Sequence, residues 1–107
     1  MRVYGIKNCD TVRKAMRALE AAGRGPELVD IRATPLTQAE ITRFLDAFGP
    51  ALINKRSTTW RGLSEEERAG DPATLLAAHP TLMKRPVIEE GGRMTLGWDK
   101  TAQGMWT

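Results

Sequence analysis

The first third of the chain follows a strand–helix–strand order, and this order constrains the fold more than any other feature. Residues 3–7 are short, β-branched and aromatic, which predicts a strand. Residues 10–22 carry apolar side chains every three or four positions, the pattern of a helix that ends at Gly23. Residues 28–31 predict a second strand. A βαβ unit of this length has parallel strands joined by a right-handed crossover.

The last part of the chain has the period of a β-hairpin. Residues 87–88 and 94–97 predict two strands, and the turn between them, over residues 90–93, contains two glycines. A short helix is expected from about residue 100 onwards. A β-α-β unit followed by a β-β-α unit is the thioredoxin arrangement. We therefore expect an α/β protein with a thioredoxin-like four-stranded mixed sheet and helices on both faces.

The middle of the chain is helical. Capping boxes at residues 37–40 and 64–67, and an Asp71-Pro72 pair, each predict the start of a helix. Residues 51–62 are basic and hydroxyl-rich, contain Trp60, and predict a less regular segment. A chain of 107 residues is expected to form one domain. Its parts are a βαβ unit (1–33), a helical insertion (about 34–82) and a ββα unit (83–107).

Composition excludes several classes of protein. A single cysteine among 107 residues rules out an internal disulfide and a cysteine-based zinc cluster. No apolar run approaches the roughly 20 residues of a membrane span, and the N-terminus lacks a signal-peptide core. We therefore expect a cytoplasmic protein. The net charge of +3 is spread along the chain, so nucleic acid is not an expected partner. No set of His, Cys and carboxylate residues suggests a metal.

Cys9 lies between the first predicted strand and the first helix. Open amides and the positive end of the dipole at a helix N-terminus stabilise an anion, here a thiolate. Lys7 and Arg13 could add positive charge, and Thr11 could hydrogen-bond the sulfur. A lone cysteine is also often a small buried apolar residue, but these polar neighbours favour a reactive thiol. Because Val12 stands where a redox motif would carry a second cysteine, an external thiol such as glutathione must resolve any disulfide.

The segment before the third strand is the second local feature. Pro86 occupies the position at which thioredoxin-like folds carry a cis-proline that packs against the active cysteine. Arg85 would then lie near Cys9 and offer a bidentate fork to an oxyanion or carboxylate. Read locally, without the fold, a surface arginine is the favoured interpretation of Arg85.

Four other side chains invite a functional interpretation. His79 lies before a proline and is expected to cap or pack a helix end. Trp60 either packs the insertion or stacks on a ligand, and packing is favoured. Trp98 and Trp106 are expected to pack in the core or against the last helix.

Four motifs together resemble one family. They are YGIKNCDTVRKA (4–15), NKRSTTWR (54–61), KRPVI (84–88) and LGW (96–98). They are similar to the arsenate reductase (ArsC)/Spx family, with most similarity to its YffB-like branch, and the resemblance covers essentially the whole chain. It implies a thioredoxin-like fold with a helical insertion.

The resemblance also implies a chemistry. In glutathione- and glutaredoxin-linked arsenate reductases of this family, the cysteine attacks arsenate, glutathione attacks the adduct, and glutaredoxin completes the reduction. Cys9 matches the nucleophile and Arg85 the arginine of the Arg-Pro motif. Asp10 replaces the glycine that follows the family cysteine, Asn54 stands at a second arginine position, and the chain has no arginine at the third, near Gly97. These departures favour the glutathione-dependent thiol reductase activity associated with YffB-like proteins.

The resulting expectations are as follows. Cys9 is the catalytic residue, and Thr11, Arg85, Lys7 and Arg13 stabilise the thiolate or the anion. Substrate or glutathione would be bound by Asn8, Asp10, Asn54, Lys55, Arg56, Arg61 and Pro86. Glutathione is the expected co-substrate, with glutaredoxin or a protein thiol as a further partner and no tightly bound cofactor. Arsenate reduction is one alternative. An Spx-like regulator that binds the RNA polymerase α subunit is the other.

Overall fold

The computed structural model describes residues Met1–Thr107, which form two compact units. The sheet unit comprises Met1–Ile31 and Arg85–Thr107, and the insertion unit comprises Arg32–Lys84. The elements of the sheet unit are β1 (Arg2–Gly5), α1 (Asp10–Ala21), β2 (Glu27–Asp30), β3 (Val87–Glu90), β4 (Arg93–Leu96) and α6 (Lys100–Trp106). The insertion unit contains α2 (Gln38–Phe48), α3 (Thr58–Arg61), α4 (Glu65–Arg68), α5 (Pro72–Ala78) and 3-10 turns at Gly49–Leu52 and Pro80–Leu82.

The four strands form one mixed sheet in the order β2-β1-β3-β4. Strand β1 runs parallel to β2 and antiparallel to β3, and β3 runs antiparallel to β4. The predicted thioredoxin-like architecture is thereby confirmed. Because Tyr4 pairs with Val87, the carboxyl end of β1 and the amino end of β3 meet at the same end of the sheet.

The core of the sheet unit closes around the last helix. Trp106 is fully buried against side chains from β1, α1 and β3, namely Val3, Leu19 and Ile88, and Trp98 packs partly buried against the same cluster. The packing role predicted for both tryptophans is confirmed. The indole Nε1 of Trp106 donates to Thr95 Oγ1 at 2.7 Å, so this buried N–H is satisfied.

A charged network ties the loop after α1 to the end of β3. Arg24 donates from Nη2 to Glu90 and from Nη1 to the carbonyl oxygen of Trp106. The amino group of Met1 lies 3.4 Å from the other oxygen of Glu90. The hydrogen bond from Arg24 is the main cause that lowers the pKa of Glu90, and the amino group of Met1 adds to it.

The insertion unit is held by capped helices over an apolar core. Thr37 and Glu40 form the predicted capping box of α2, and Ser64 and Glu67 form that of α4. Ile41, Phe44, Leu52, Leu76, Leu82 and Met83 are almost fully buried. The predicted helix starts are confirmed, and His79 caps α5 with an amide that donates to Leu75 at 2.7 Å.

The structure corrects three predicted boundaries. Strand β1 ends at Gly5 rather than at residue 7, because the carbonyl oxygen of Ile6 accepts from the amide of Cys9 in a turn. Residues 51–62 are more regular than predicted and contain α3, since Ser57 caps the amide of Trp60. The hairpin turn is tighter, with only Gly91 and Gly92 between paired strands, and both glycines have positive φ. None of the helices combines the length and the apolar character needed to cross a bilayer.

Candidate active site

Cys9 stands at the junction of β1 and α1. It is the N-cap residue of α1 in an extended conformation, with φ −93° and ψ 122°. Its amide donates to Ile6 at 3.3 Å, and its carbonyl oxygen accepts from Arg13 at 3.0 Å. The side chain is partly exposed and makes no capping hydrogen bond. The residue is therefore partly open to solvent, at a helix end whose first amides have no intrahelical partner.

A close approach of the backbone holds α1 over the end of β1. A Cβ atom on Gly5 would lie 2.6 Å from Cγ2 of Val12. Both residues are buried, as is Ala15 one turn later. Because only a hydrogen occupies this space, the first turn of α1 can pack directly on the strand that precedes the cysteine.

The polar neighbours of Cys9 in sequence are exposed. Lys7, Asn8 and Thr11 lie at the surface. Arg13 is held by Asp10, with 3.7 Å between Nη2 and Oδ1, a contact between residues three apart on one helix face. Asp10 therefore partly neutralises the arginine that was predicted to favour the thiolate. The predicted roles of Lys7, Thr11 and Arg13 stay predictions.

The Arg-Pro motif lies at the same end of the sheet. The Arg85–Pro86 peptide bond is cis, as the position before β3 suggested. Pro86 is buried and Arg85 partly buried. Tyr4 pairs with Val87, the residue that directly follows Pro86. The motif thus flanks the strand end from which Cys9 follows.

A glycine that the sequence did not mark as functional anchors this motif. The amide of Gly97, a buried residue with φ 80°, donates to the carbonyl oxygen of Pro86 at 2.8 Å. The resemblance included Gly97 in its Leu-Gly-Trp motif. The pairing of β3 with β4, rather than any local pattern, gives it this role.

The four remaining candidates lie in the insertion unit and are grouped there. The side-chain oxygen Oδ1 of Asn54 accepts from the amide of Arg56 at 3.0 Å. The main-chain carbonyl oxygen of Asn54 accepts from Ser57 Oγ at 2.8 Å. Arg61 donates to the carbonyl oxygen of Arg56 at 3.2 Å. Asn54 thus organises the turn before α3, while the side chains of Lys55, Arg56 and Arg61 are exposed.

The structure contains no group of three or more His, Cys, Asp or Glu side chains arranged to hold a metal ion. The chemistry that the sheet unit offers is that of one accessible thiol at a helix N-terminus. Such a thiol can attack a disulfide or an electrophilic oxyanion and then act as a leaving group.

Comparison with known proteins gives similarities over nearly the whole chain. A sequence profile of the ArsC family matches residues 4–103. An uncharacterised protein of Haemophilus influenzae is 43% identical over 103 residues, which are 92% of this chain and 90% of that protein.

Solved structures give the same result. A protein named YffB (PA3664) is 31% identical with a TM-score of 0.91, over 98% of this chain and 96% of that one. An arsenate reductase (ArsC) related protein from Brucella melitensis is 34% identical with a TM-score of 0.74, over 98% of this chain and 92% of that one. The similarity in fold and in sequence therefore extends across both units.

Proposed function

The chain belongs to the ArsC family, and from this premise we propose that it is a glutathione-dependent thiol oxidoreductase in which Cys9 is the nucleophile. The observation that carries the proposal is the position of Cys9. It is the N-cap of α1, partly exposed, and its side chain is not engaged in capping. A structural cysteine would be buried, and an N-cap selected for stability would be Ser, Thr, Asp or Asn.

Two features support a thiolate at this position. The first amides of α1 and the positive end of its dipole favour an anion beside the N-cap. Arg85 belongs to the Arg-Pro motif that flanks the end of β1. A guanidinium can bind a carboxylate of glutathione or an oxyanion through two parallel donors. Lys7 adds a second positive charge close to Cys9 in sequence.

The reaction that we propose is deglutathionylation by thiol–disulfide exchange. The Cys9 thiolate attacks the glutathione sulfur of a substrate mixed disulfide, forms Cys9–S–SG, and releases the substrate thiolate, which takes a proton from solvent. A second glutathione, as its thiolate, attacks Cys9–S–SG. Oxidised glutathione leaves and the Cys9 thiolate is regenerated. Because the chain has one cysteine, no internal thiol competes with glutathione, and glutaredoxin could take its place. The reaction belongs to the cytoplasm, where glutathione is reduced.

Arsenate is the second candidate substrate, and the description of the Brucella relative as arsenate reductase related favours it. The Cys9 thiolate would attack arsenic and displace water. Glutathione would then attack the Cys9 sulfur, so that the sulfur–arsenic bond breaks, arsenite leaves with the two electrons and Cys9–S–SG forms. Glutaredoxin or a second glutathione would reduce Cys9–S–SG and regenerate the Cys9 thiolate. Asp10 weighs against this substrate, because it places a carboxylate next to the position that the arsenate would occupy.

The test is a comparison of substrates. Purified protein is given glutathione, glutathione reductase and NADPH, with either the mixed disulfide of glutathione and 2-mercaptoethanol or arsenate plus glutaredoxin. We expect oxidation of NADPH with the mixed disulfide and little with arsenate. The Cys9→Ser variant is the matched control and should return the rate to background.

Intact-mass spectrometry of the protein after a single turnover should show one glutathione on Cys9. If the wild-type protein turns over neither substrate, or if Cys9→Ser is as fast as the wild type, the proposal is wrong. If arsenate is reduced and the mixed disulfide is not, the second candidate is the function.

A further inference from the structure

A pocket lies within the insertion unit, which does not contain the candidate catalytic residue Cys9. Its volume is about 380 Å³, within the usual range for small-molecule sites. Its walls are apolar and come from α2, the following 3-10 turn and α5, and they include Leu45, Pro50, Ile53, Pro72 and Leu75. We propose that this pocket binds a small organic anion with a flat apolar body, such as an aromatic carboxylate.

Trp60 supplies the flat surface. It lines the pocket together with Lys55 and Arg68, and it is only partly buried. Lys55 Nζ lies 5.7 Å from the centre of its ring and Arg68 Cζ lies 5.6 Å from it. Both distances are those of cation–π contacts. Two positive charges thus lie close to one aromatic ring at the wall of an apolar pocket.

Arg68 is fixed in place by the backbone of α3. Its Nε donates to the carbonyl oxygen of Trp60 and its Nη2 to that of Arg61, each at 3.1 Å. A guanidinium has five N–H donors in a rigid fork, so donors remain after these two bonds. Neither acceptor is a carboxylate, and Arg68 therefore retains its positive charge for a ligand. A side chain held in this way loses little rotamer freedom when a ligand binds.

The charges of the pocket favour an anion even when its one acidic side chain is included. Asp71 lines the pocket, but its carboxylate caps α5 by accepting from the amide of Thr74 at 3.2 Å and from the Thr74 hydroxyl at 3.1 Å. Lys55 and Arg68 form no salt bridge within the protein. The pocket is therefore lined by two cations and by one carboxylate that is already hydrogen-bonded. The apolar walls add the burial that a purely polar site would lack.

This inference does not depend on the chemistry of Cys9. Every residue that carries it lies in the insertion unit, between Leu45 and Leu75. Loss of thiol activity would leave the pocket proposal standing, and the reverse is also true.

The experiment uses naphthalene-2-carboxylate as the probe and 2-naphthylmethanol as its uncharged counterpart. The chain has three tryptophans, whose indole N–H signals are resolved in a ¹⁵N–¹H spectrum and assigned with a Trp60→Phe variant. We expect the carboxylate to shift the Trp60 signal to saturation. We expect the alcohol to bind at least about threefold more weakly, as the loss of a partly exposed charge contact implies.

Variants of Lys55 test the role of the charge without disturbing the core, because this side chain is exposed. Lys55→Gln should reduce the preference for the carboxylate, with Arg68 supplying the rest, and Lys55→Arg should restore it. Lys14→Gln, which removes an exposed charge from α1 in the sheet unit, should change neither affinity. The proposal is overturned if the Trp60 signal does not saturate. Equal affinity for acid and alcohol, or an unchanged preference in Lys55→Gln, would overturn it as well.

Discussion

Gly5 and Val12 approach each other so closely that a Cβ atom on the glycine would lie 2.6 Å from Cγ2 and 3.0 Å from Cγ1 of the valine. Gly5→Ala must therefore displace the first turn of α1 or the side chain of Val12. We expect a loss of about 1–3 kcal/mol of unfolding free energy, measured by urea denaturation, together with lower activity because Cys9 follows this contact.

Two further variants make this prediction specific. Adding Val12→Ala to Gly5→Ala should recover part of the lost stability, since it removes the methyl groups that clash. Gly104→Ala is the matched control: its added Cβ meets nothing within 4 Å and lies within α6, so it should raise stability by about 0.5–1 kcal/mol. A Gly5→Ala variant as stable as the wild type would show that the contact is not tight.

Cysteine is expected to stabilise α1 less as its N-cap residue than serine or aspartate would. Cys9 makes no side-chain capping bond, whereas a serine or aspartate in the same extended conformation accepts one from the first turn. We expect Cys9→Ser to be more stable than Cys9→Ala by about 0.5–2 kcal/mol and to have no activity. Thermal unfolding followed by circular dichroism measures the difference. Equal melting temperatures would mean that the N-cap geometry does not admit a side-chain cap.

Glu90 should make the sheet unit sensitive to acid. The hydrogen bond from Arg24, aided by the Met1 amino group, lowers its pKa from the ordinary value of 4.5. A carboxylate with a lowered folded pKa stabilises the fold fully above its unfolded pKa, and this stabilisation is lost as the pH falls through the folded value. Glu90→Gln should therefore be less stable than the wild type at pH 7, and the gap should close below pH 4.5.

The comparison needs urea denaturation of both proteins between pH 2.5 and pH 7 (about five pH values suffice, because the change is monotonic). Glu20→Gln is the control, since Glu20 is exposed on α1 and forms no salt bridge. A gap for Glu90→Gln that stays constant with pH would contradict the assignment of the ion pair.

The hydrogen bond between Trp106 and Thr95 should be needed for a stable core. Thr95 is a buried polar side chain, and its hydroxyl accepts the indole N–H at 2.7 Å. Thr95→Val keeps the shape and leaves a buried donor unsatisfied, which costs about 1–3 kcal/mol. Thr95→Ser keeps the acceptor and should lose less. Guanidinium denaturation distinguishes the two, and a loss in Thr95→Ser as large as that in Thr95→Val would contradict a dominant role of the hydrogen bond.

The sequence predicted those features that depend on contacts between residues close together in the chain. The apolar stripe of α1, the caps at Thr37 and Ser64, and the glycine turn of the hairpin each involve residues a few positions apart, and each was confirmed. The position of Cys9 at a helix start was predicted for the same reason. Helix α3 was missed because Ser57, Thr58 and Thr59 have low helix propensity, although a serine three residues before Trp60 is itself a capping signal.

Contacts between distant segments could not be predicted in this way. The approach of Gly5 to Val12 depends on how α1 packs on β1. The bond from Gly97 to Pro86 depends on the register of β3 and β4. The first depends on helix–strand packing and the second on strand pairing, neither of which one sequence specifies. The pocket around Trp60 was likewise hidden, because its lining comes from five elements and its charges alone resemble an ordinary solvated surface.

The order of the strands in the sheet has a consequence for folding during synthesis on the ribosome. Strand β1 is synthesised before its partner β3, and the whole insertion lies between them in the chain. Until then β1 has β2 alone, and two strands are too few for independent stability. The nascent chain therefore carries the Cys9 thiol throughout synthesis of the insertion before the sheet that positions it can close.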